Sequence, residues 1–258
     1  MINLIMNEKD FIETIINNKE KPSFISNRYL IKLLYRYYYD SNLKQKEMIN
    51  KIFEKCKDIK IDGYIEYLFY NQIVSNVKEE SKREVKVRLR ELEYIPLYES
   101  ELNIINSCKK DREKKFLFVC YILSRFYQND WIGTKDDDLF KIANISMTEK
   151  NRQYFIYEMK EKGYIALPKN NTNMSIKLLR PETIENDKEV MQVFNFDNLG
   201  NQFLAKYKEG YLQCSNCGKL IKIKSKFDGR SKYCDKCAYE MNLEKQKERD
   251  FKKKCEKS

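Results

Sequence analysis

Cys214-Ser-Asn-Cys217 and Cys234-Asp-Lys-Cys237 constrain this chain more than any other feature. Sixteen residues separate the two pairs, which is the spacing of a four-cysteine zinc site. Each C-x-x-C predicts a tight turn that aims two thiolates at one metal, with a short hairpin between the pairs bringing the turns together. The sequence contains no histidine, so the ligands are Cys214, Cys217, Cys234 and Cys237. Four thiolates at about 2.3 Å leave no open position, and the expected cofactor is one structural Zn²⁺. Two disulfides or four free thiols are the alternatives.

Charge is concentrated in the same region. The chain carries +11 over 258 residues. Residues 206–258 hold 16 basic and 8 acidic residues, so the first 205 contribute only +3. Four zinc-bound thiolates and the ion together subtract two from the local excess of +8. Basic charge confined to one module points to an acidic partner, most simply nucleic acid. Lys219, Lys222, Lys224, Lys226, Arg230 and Lys232 all fall between the cysteine pairs. A strand over Leu220–Lys224 would put Lys222 and Lys224 on one face and Ile221 and Ile223 on the other. Beyond Cys237 a polar, lysine-rich helix is expected, either as a solvated tail or as an arm ordered on nucleic acid.

Cys56, Cys108 and Cys120 sit in helical, partly apolar contexts and read as reduced core residues. A cytoplasmic protein is expected. Met1–Met6 lacks the flanks of a signal peptide, and no apolar run approaches the ~20 residues of a membrane span.

Periodicity and punctuation predict a mainly α chain. Residues 1–85 form a helical domain. Its helices are expected at Asn7–Asn18, from Ser26 as cap to Tyr39, at Leu43–Cys56 behind a Ser41 or Asn42 cap, and at about Ile61–Arg83. The last should bury Ile65, Leu68, Phe69, Ile73 and Val77. The tyrosines of Tyr35–Tyr39 suit either base stacking or a core with polar tips. Residues 86–110 are read as a connection.

Residues 111–200 read as a winged helix-turn-helix with a C-terminal extension. Its helices are Asp111–Gln128, Asp136–Ala143 and Thr148–Lys162; Gly163 then closes the third in a left-handed cap. A hairpin of Tyr164–Leu167 and Ser175–Leu179 follows. The third helix would turn Lys150, Arg152, Gln153 and Tyr157 toward DNA, with Lys169, Asn170 and Asn171 at the wing tip. Asp136, Asp137 and Asp138 could serve a metal-dependent nuclease, but three acids at a helix N-terminus need only its dipole. Residues 201–240 are the zinc ribbon and 241–258 the basic tail.

Arg28-Tyr29-Leu30-Ile31, Trp131, the Ala143–Ser146 turn, Gly163-Tyr164-Ile165, Asn198-Leu199-Gly200 and the four cysteines together resemble a group of proteins from phages and prophages of Gram-positive bacteria. The resemblance covers most of the chain. It implies a helical N-terminal region, a central winged helix and a C-terminal zinc ribbon with a basic tail. The group has no agreed activity. Many zinc ribbons carry a proline between the first two cysteines, and this chain does not.

A non-enzymatic protein that binds nucleic acid, mainly duplex DNA, in phage replication or transcription control is the leading expectation. A protein-interaction factor or inhibitor acting on a host nucleoprotein complex, of defence or polymerase, is the alternative, favoured by the winged region's small excess of 13 basic over 9 acidic residues. An enzyme is the third reading, disfavoured by the missing histidine and by the lack of a Walker-type loop or nucleophile elbow. A homodimer suits a winged helix, although no heptad seam is present.

Overall fold

The computed structural model describes residues 4–39, 43–82, 88–168, 175–180, 186–223 and 232–255, apart from the side chains of 248 and 250–255. The chain is mainly helical with small antiparallel sheets. It divides into two compact units, Met1–Tyr94 and Ile95–Ser258.

The first unit packs α1 (Glu8–Asn18), α2 (Asn27–Tyr38), α3 (Gln45–Asp58) and α4 (Glu66–Ser81). Asn7 caps α1 by accepting the Asp10 N–H at 3.0 Å, and Ser26 caps α2 by accepting the Tyr29 N–H at 3.1 Å. Each satisfies a backbone donor that the first turn leaves open. Helix α3 starts later than expected. The Glu47 carboxylate reaches back to the Lys44 N–H at 2.9 Å, and Ser41 and Asn42 lie outside the described residues.

Ile12, Ile15, Leu30, Leu33, Leu34, Met48, Ile52, Phe69, Ile73 and Val77 form the core. Tyr35 is buried, and Tyr37, Tyr38 and Tyr39 pack against that core, which is the packing alternative for this run. Two residues expected inside are outside, Ile65 at 58% and Leu68 at 53% exposure. The reason is phase. Helix α4 begins only at Glu66, leaving Ile65 as its extended N-cap, while Leu68 is about 100° around the helix from Phe69.

Glu8 ties the unit's N-terminus to its end. Its carboxylate is buried and accepts from the Tyr29 hydroxyl at 2.7 Å, the Arg90 N–H at 2.9 Å and the Arg36 guanidinium at 3.4 Å. Backbone bonds from Glu8 N–H to the Arg90 carbonyl (2.7 Å) and from Leu92 N–H to the Met6 carbonyl (3.0 Å) close the same join.

The second unit is built around α6 (Asp111–Tyr127). Phe116 to Leu123 is buried without interruption, as expected of a helix apolar all round. Packed on it are β1 (Ile95–Tyr98), α5 (Glu99–Ser107), β2 (Trp131–Ile132), α7 (Asp136–Ile142), β4 (Ile176–Leu178) and α9 (Leu199–Tyr207). Helix α8 (Glu149–Glu161) leads into β3 (Ile165–Ala166) through Gly163, whose φ of +74° is the expected left-handed cap. Strand order β2-β4-β3 makes a three-stranded sheet, with Ile132 opposite Ile176 and Ile165 opposite Leu178. Phe116, Phe140 and Phe155, one from each of α6, α7 and α8, meet with ring centroids 5.2–5.5 Å apart.

Residues 95–110, expected as a connection, belong to this unit. Strand β1 pairs antiparallel with β5 (Glu189–Val193), Ile95 opposite Val193. The buried Glu101 of α5 bonds the Arg125 guanidinium at 2.7 Å and the Tyr98 N–H at 3.0 Å. Helix α9, which straddles the expected boundary at residue 200, also joins this body, with the Phe203 ring tilted against that of Phe118, centroids 4.9 Å apart.

A polar seam joins α6 to α8. Lys110 and Lys162 each lie 2.9 Å from Glu158, and Lys162 also lies 2.9 Å from Glu113. The Lys110 and Lys162 ammonium groups hold the Glu158 carboxyl down to about 2. Burial works to raise Glu113, but hydrogen bonds from Lys162 and the Lys110 N–H, with the charges of both lysines, together outweigh it, and Glu113 is also lowered. A carboxylate lowered in the folded state adds stability above its unfolded value of about 4.5, and that stability is lost as pH falls through the folded value. Glu158→Gln should therefore lower the second unit's melting temperature at pH 6, with the gap to wild type closing as pH falls toward 2. A gap independent of pH would assign the seam no electrostatic role.

Candidate metal centre and nucleic-acid interface

The first cysteine pair sits in the turn of a hairpin formed by β6 (Tyr211–Gln213) and β7 (Leu220–Lys222). The Cys214 N–H bonds the Lys219 carbonyl at 2.8 Å, and the Gly218 N–H bonds the Cys214 carbonyl at 2.9 Å. Gly218 has a φ of +66°, which a residue without a Cβ adopts at low cost. The second pair does not occupy another such turn. Cys234 immediately precedes α10 (Asp235–Cys255) and Cys237 lies in its first turn, where i and i+3 face the same way. A hairpin surrounds the first pair and a helix starts at the second; most of the segment between the pairs, where a hairpin was expected, lies outside the described residues.

All four Sγ atoms lie within 4.8 Å of one another, and Cys217 Sγ is 3.7 Å from Cys234 Sγ. A tetrahedron with Zn–S of about 2.3 Å has edges of about 3.8 Å. None of the four is in a disulfide. The sulfurs therefore fit one zinc-like ion, and the disulfide alternative is set aside. Burial works to raise the Cys214 thiol, yet N–H groups of Cys217, Cys234 and Asn216 pointing at its sulfur bring it down to about 6. The Cys234 N–H donates to it at 3.3 Å. Cys237 shares its proton with Cys217 and is pushed up to about 12, a proton that metal would displace. Cys56, by contrast, is held up at about 12 by burial alone, as suits a core thiol.

The basic residues of the module divide. Lys219, Lys222 and Lys232 are exposed, while Ile221 and Ile223 are half-buried, the alternation expected of the strand. Lys224, Lys226 and Arg230 lie outside the described residues, as do Lys169, Asn170 and Asn171.

Lys150, Gln153 and Tyr157 are all exposed on the outer face of α8. Tyr154, not anticipated, joins them at 63% exposure, with Tyr157 at 55%. Lys150 Nζ lies 6.0 Å from the Tyr154 ring and Lys160 Nζ 5.2 Å from the Tyr157 ring. Arg152 differs from expectation. Its guanidinium turns back onto α7, 3.5 Å from Asp136 and 3.3 Å from Asp137, and donates to the Met147 carbonyl at 3.1 Å. The acids at the start of α7 draw it inward, so Arg152 bridges the start of α7 and the α7–α8 turn. Asp137 also pairs with Lys141.

A set of amides between this region and the cysteines escaped the sequence reading. Asn144 Nδ2 donates to Asn198 Oδ1 at 3.0 Å, and Asn198 Nδ2 donates to the Cys217 carbonyl at 3.1 Å. The Asn201 N–H donates to Asn144 Oδ1 at 3.2 Å, and its Nδ2 reaches the Gly218 carbonyl at 3.4 Å. Lys115 Nζ bonds Asn201 Oδ1 at 2.8 Å and the Asn144 carbonyl at 3.3 Å. Asn144 and Asn198 have φ of 54° and 50°, and asparagine's tolerance of that region was the available signal. Among the described residues no helix is long and apolar enough to cross a membrane. No protein-family model, curated protein or solved structure was found to match the chain.

Proposed function

We propose that this chain is a non-enzymatic nucleic-acid-binding protein with one structural zinc. The observation that carries the reading is the exposed face of α8, where Lys150, Gln153, Tyr154 and Tyr157 stand together, in a chain whose zinc module also exposes Lys219, Lys222 and Lys232. The order α6, β2, α7, α8, β3, β4, with β4 central in its sheet, supports a winged helix-turn-helix with α8 as the groove-reading helix. Lysines of the zinc module would supply phosphate contacts, which set affinity without reading sequence. The likeness to Gram-positive phage proteins supports a role in replication or transcription control, in the cytoplasm of a bacterial host.

Binding to random duplex and single-stranded DNA across a salt titration tests this. Strong binding that falls steeply with salt is expected, because each phosphate contact releases counterions. No binding at low salt would sink the proposal. The double variant Lys222→Glu/Lys232→Glu should weaken binding alike on all sequences and flatten the salt slope by about 2. An unchanged slope would move the phosphate contacts elsewhere.

Ile65, Tyr67 and Leu68, 53–73% exposed in the first unit, favour a second reading in which that unit docks a protein of a host nucleoprotein complex.

A further inference from the structure

The amides around Asn198 touch the metal module and the α7–α8 turn at once. On one side the acceptors are the carbonyls of Cys217 and Gly218, the first a ligand residue and the second its neighbour. On the other side is Asn144, within the turn whose Ile145 N–H bonds the Phe140 carbonyl at 2.9 Å. Two glycines allow the approach. A Cβ on Gly218 would collide with the Asn198 amide, and one on Gly200 with the Ala143 carbonyl. Asn201 is buried, and burial holds the Lys115 ammonium below lysine's ordinary value. A buried amide that loses its acceptor is costly and cannot turn to water instead.

We propose that Asn144, Asn198 and Asn201 are positioning residues that couple metal at the four cysteines to the setting of the α7–α8 turn, and so to α8. Metal fixes the backbone of Cys217 and Gly218 where the amides of Asn198 and Asn201 can bond it. Without metal that backbone is free to move, the amides lose their acceptors, and the turn loosens. The coupling is independent of nucleic acid; its consequence for binding rests on the nucleic-acid reading of α8.

Hydrogen exchange of the full chain, zinc-loaded and chelator-stripped, tests it. In wild type, stripping should speed exchange in residues 143–148 about tenfold or more, with the helices of the first unit unchanged. Asn198→Gly, which tolerates the positive φ, should keep one zinc per chain while the turn exchanges fast with or without metal. Asn201→Ala should behave alike and serves if Asn198→Gly holds less than one zinc. Exchange in the wild-type turn that ignores metal would overturn the proposal, as would a variant that holds zinc and still responds to stripping as wild type does. DNA binding measured on the same samples separates the two ideas. A metal-sensitive turn without DNA binding removes only the nucleic-acid reading; DNA binding with an indifferent turn removes only the relay.

Discussion

Cys217→Ser should drop bound zinc from one per chain to substoichiometric and unfold the β6–β7 hairpin together with the start of α10, while the first unit keeps its structure. The size of the effect follows from what holds the module. Residues 211–213 and 220–222 pair over three positions only, and a two-stranded hairpin is marginal by itself in water. Helix α10 is polar, with Tyr239 and Leu243 exposed, and brings little apolar burial. Beside the packing of β6 and β7 on α9 and the Asn198 and Asn201 hydrogen bonds, metal is expected to supply most of the stabilisation, since structural zinc in small modules contributes roughly 10–16 kcal/mol. Serine is smaller and is not a thiolate, so three sulfurs would remain. Metal content by elemental analysis and amide exchange over 208–240 are the measurements. Full zinc with unchanged exchange would mean that these sulfurs do not bind the ion. Zinc loss accompanied by unfolding of α1–α4 would mean that the first unit depends on the metal.

Glu8→Ala should destabilise the first unit by about 3 kcal/mol, since removing one partner of a buried ion pair leaves the other charge uncompensated. Glu8 is 2% exposed, and the Arg36 side chain only 13%. The Tyr29 hydroxyl and the Arg90 N–H lose an acceptor in the same step. With a urea slope of about 1–2 kcal/mol/M for a unit of this size, the unfolding midpoint falls by about 2 M. The chain has a single tryptophan, Trp131, which lies on β2 of the second unit. Trp131 emission thus follows that unit while circular dichroism follows both. The expected result is an early dichroism transition with the Trp131 transition unmoved. A loss below ~1 kcal/mol would show that solvent reaches Glu8 more than its burial implies.

The sequence alone determined the features written in short-range chemistry. Two C-x-x-C pairs named the metal ligands because ligation depends on residue type and spacing. Ser26 announced a helix start because a cap bonds three residues ahead. Gly163 marked a helix end because a positive φ suits a residue without a Cβ. Alternation in β7 announced an exposed Lys222.

Tertiary structure decided the rest, and in each case a partner distant in sequence made the choice. Arg152 has the type and position of a DNA-reading residue, yet Asp136 and Asp137 lie within reach and bind it. Residues 95–110 carry little pattern by themselves; they become structure because β5, some ninety residues later, offers an edge to β1. Ile65 and Leu68 look buried until the start of α4 sets the phase of its face. The asparagines that join the cysteines to the α7–α8 turn read as ordinary turn residues, because their acceptors come from three separate segments, at Asn144, at Asn198 and at Cys217–Gly218. Local propensity acts over a few residues, whereas the direction a side chain finally takes depends on which charges, carbonyls and cavities the fold brings beside it.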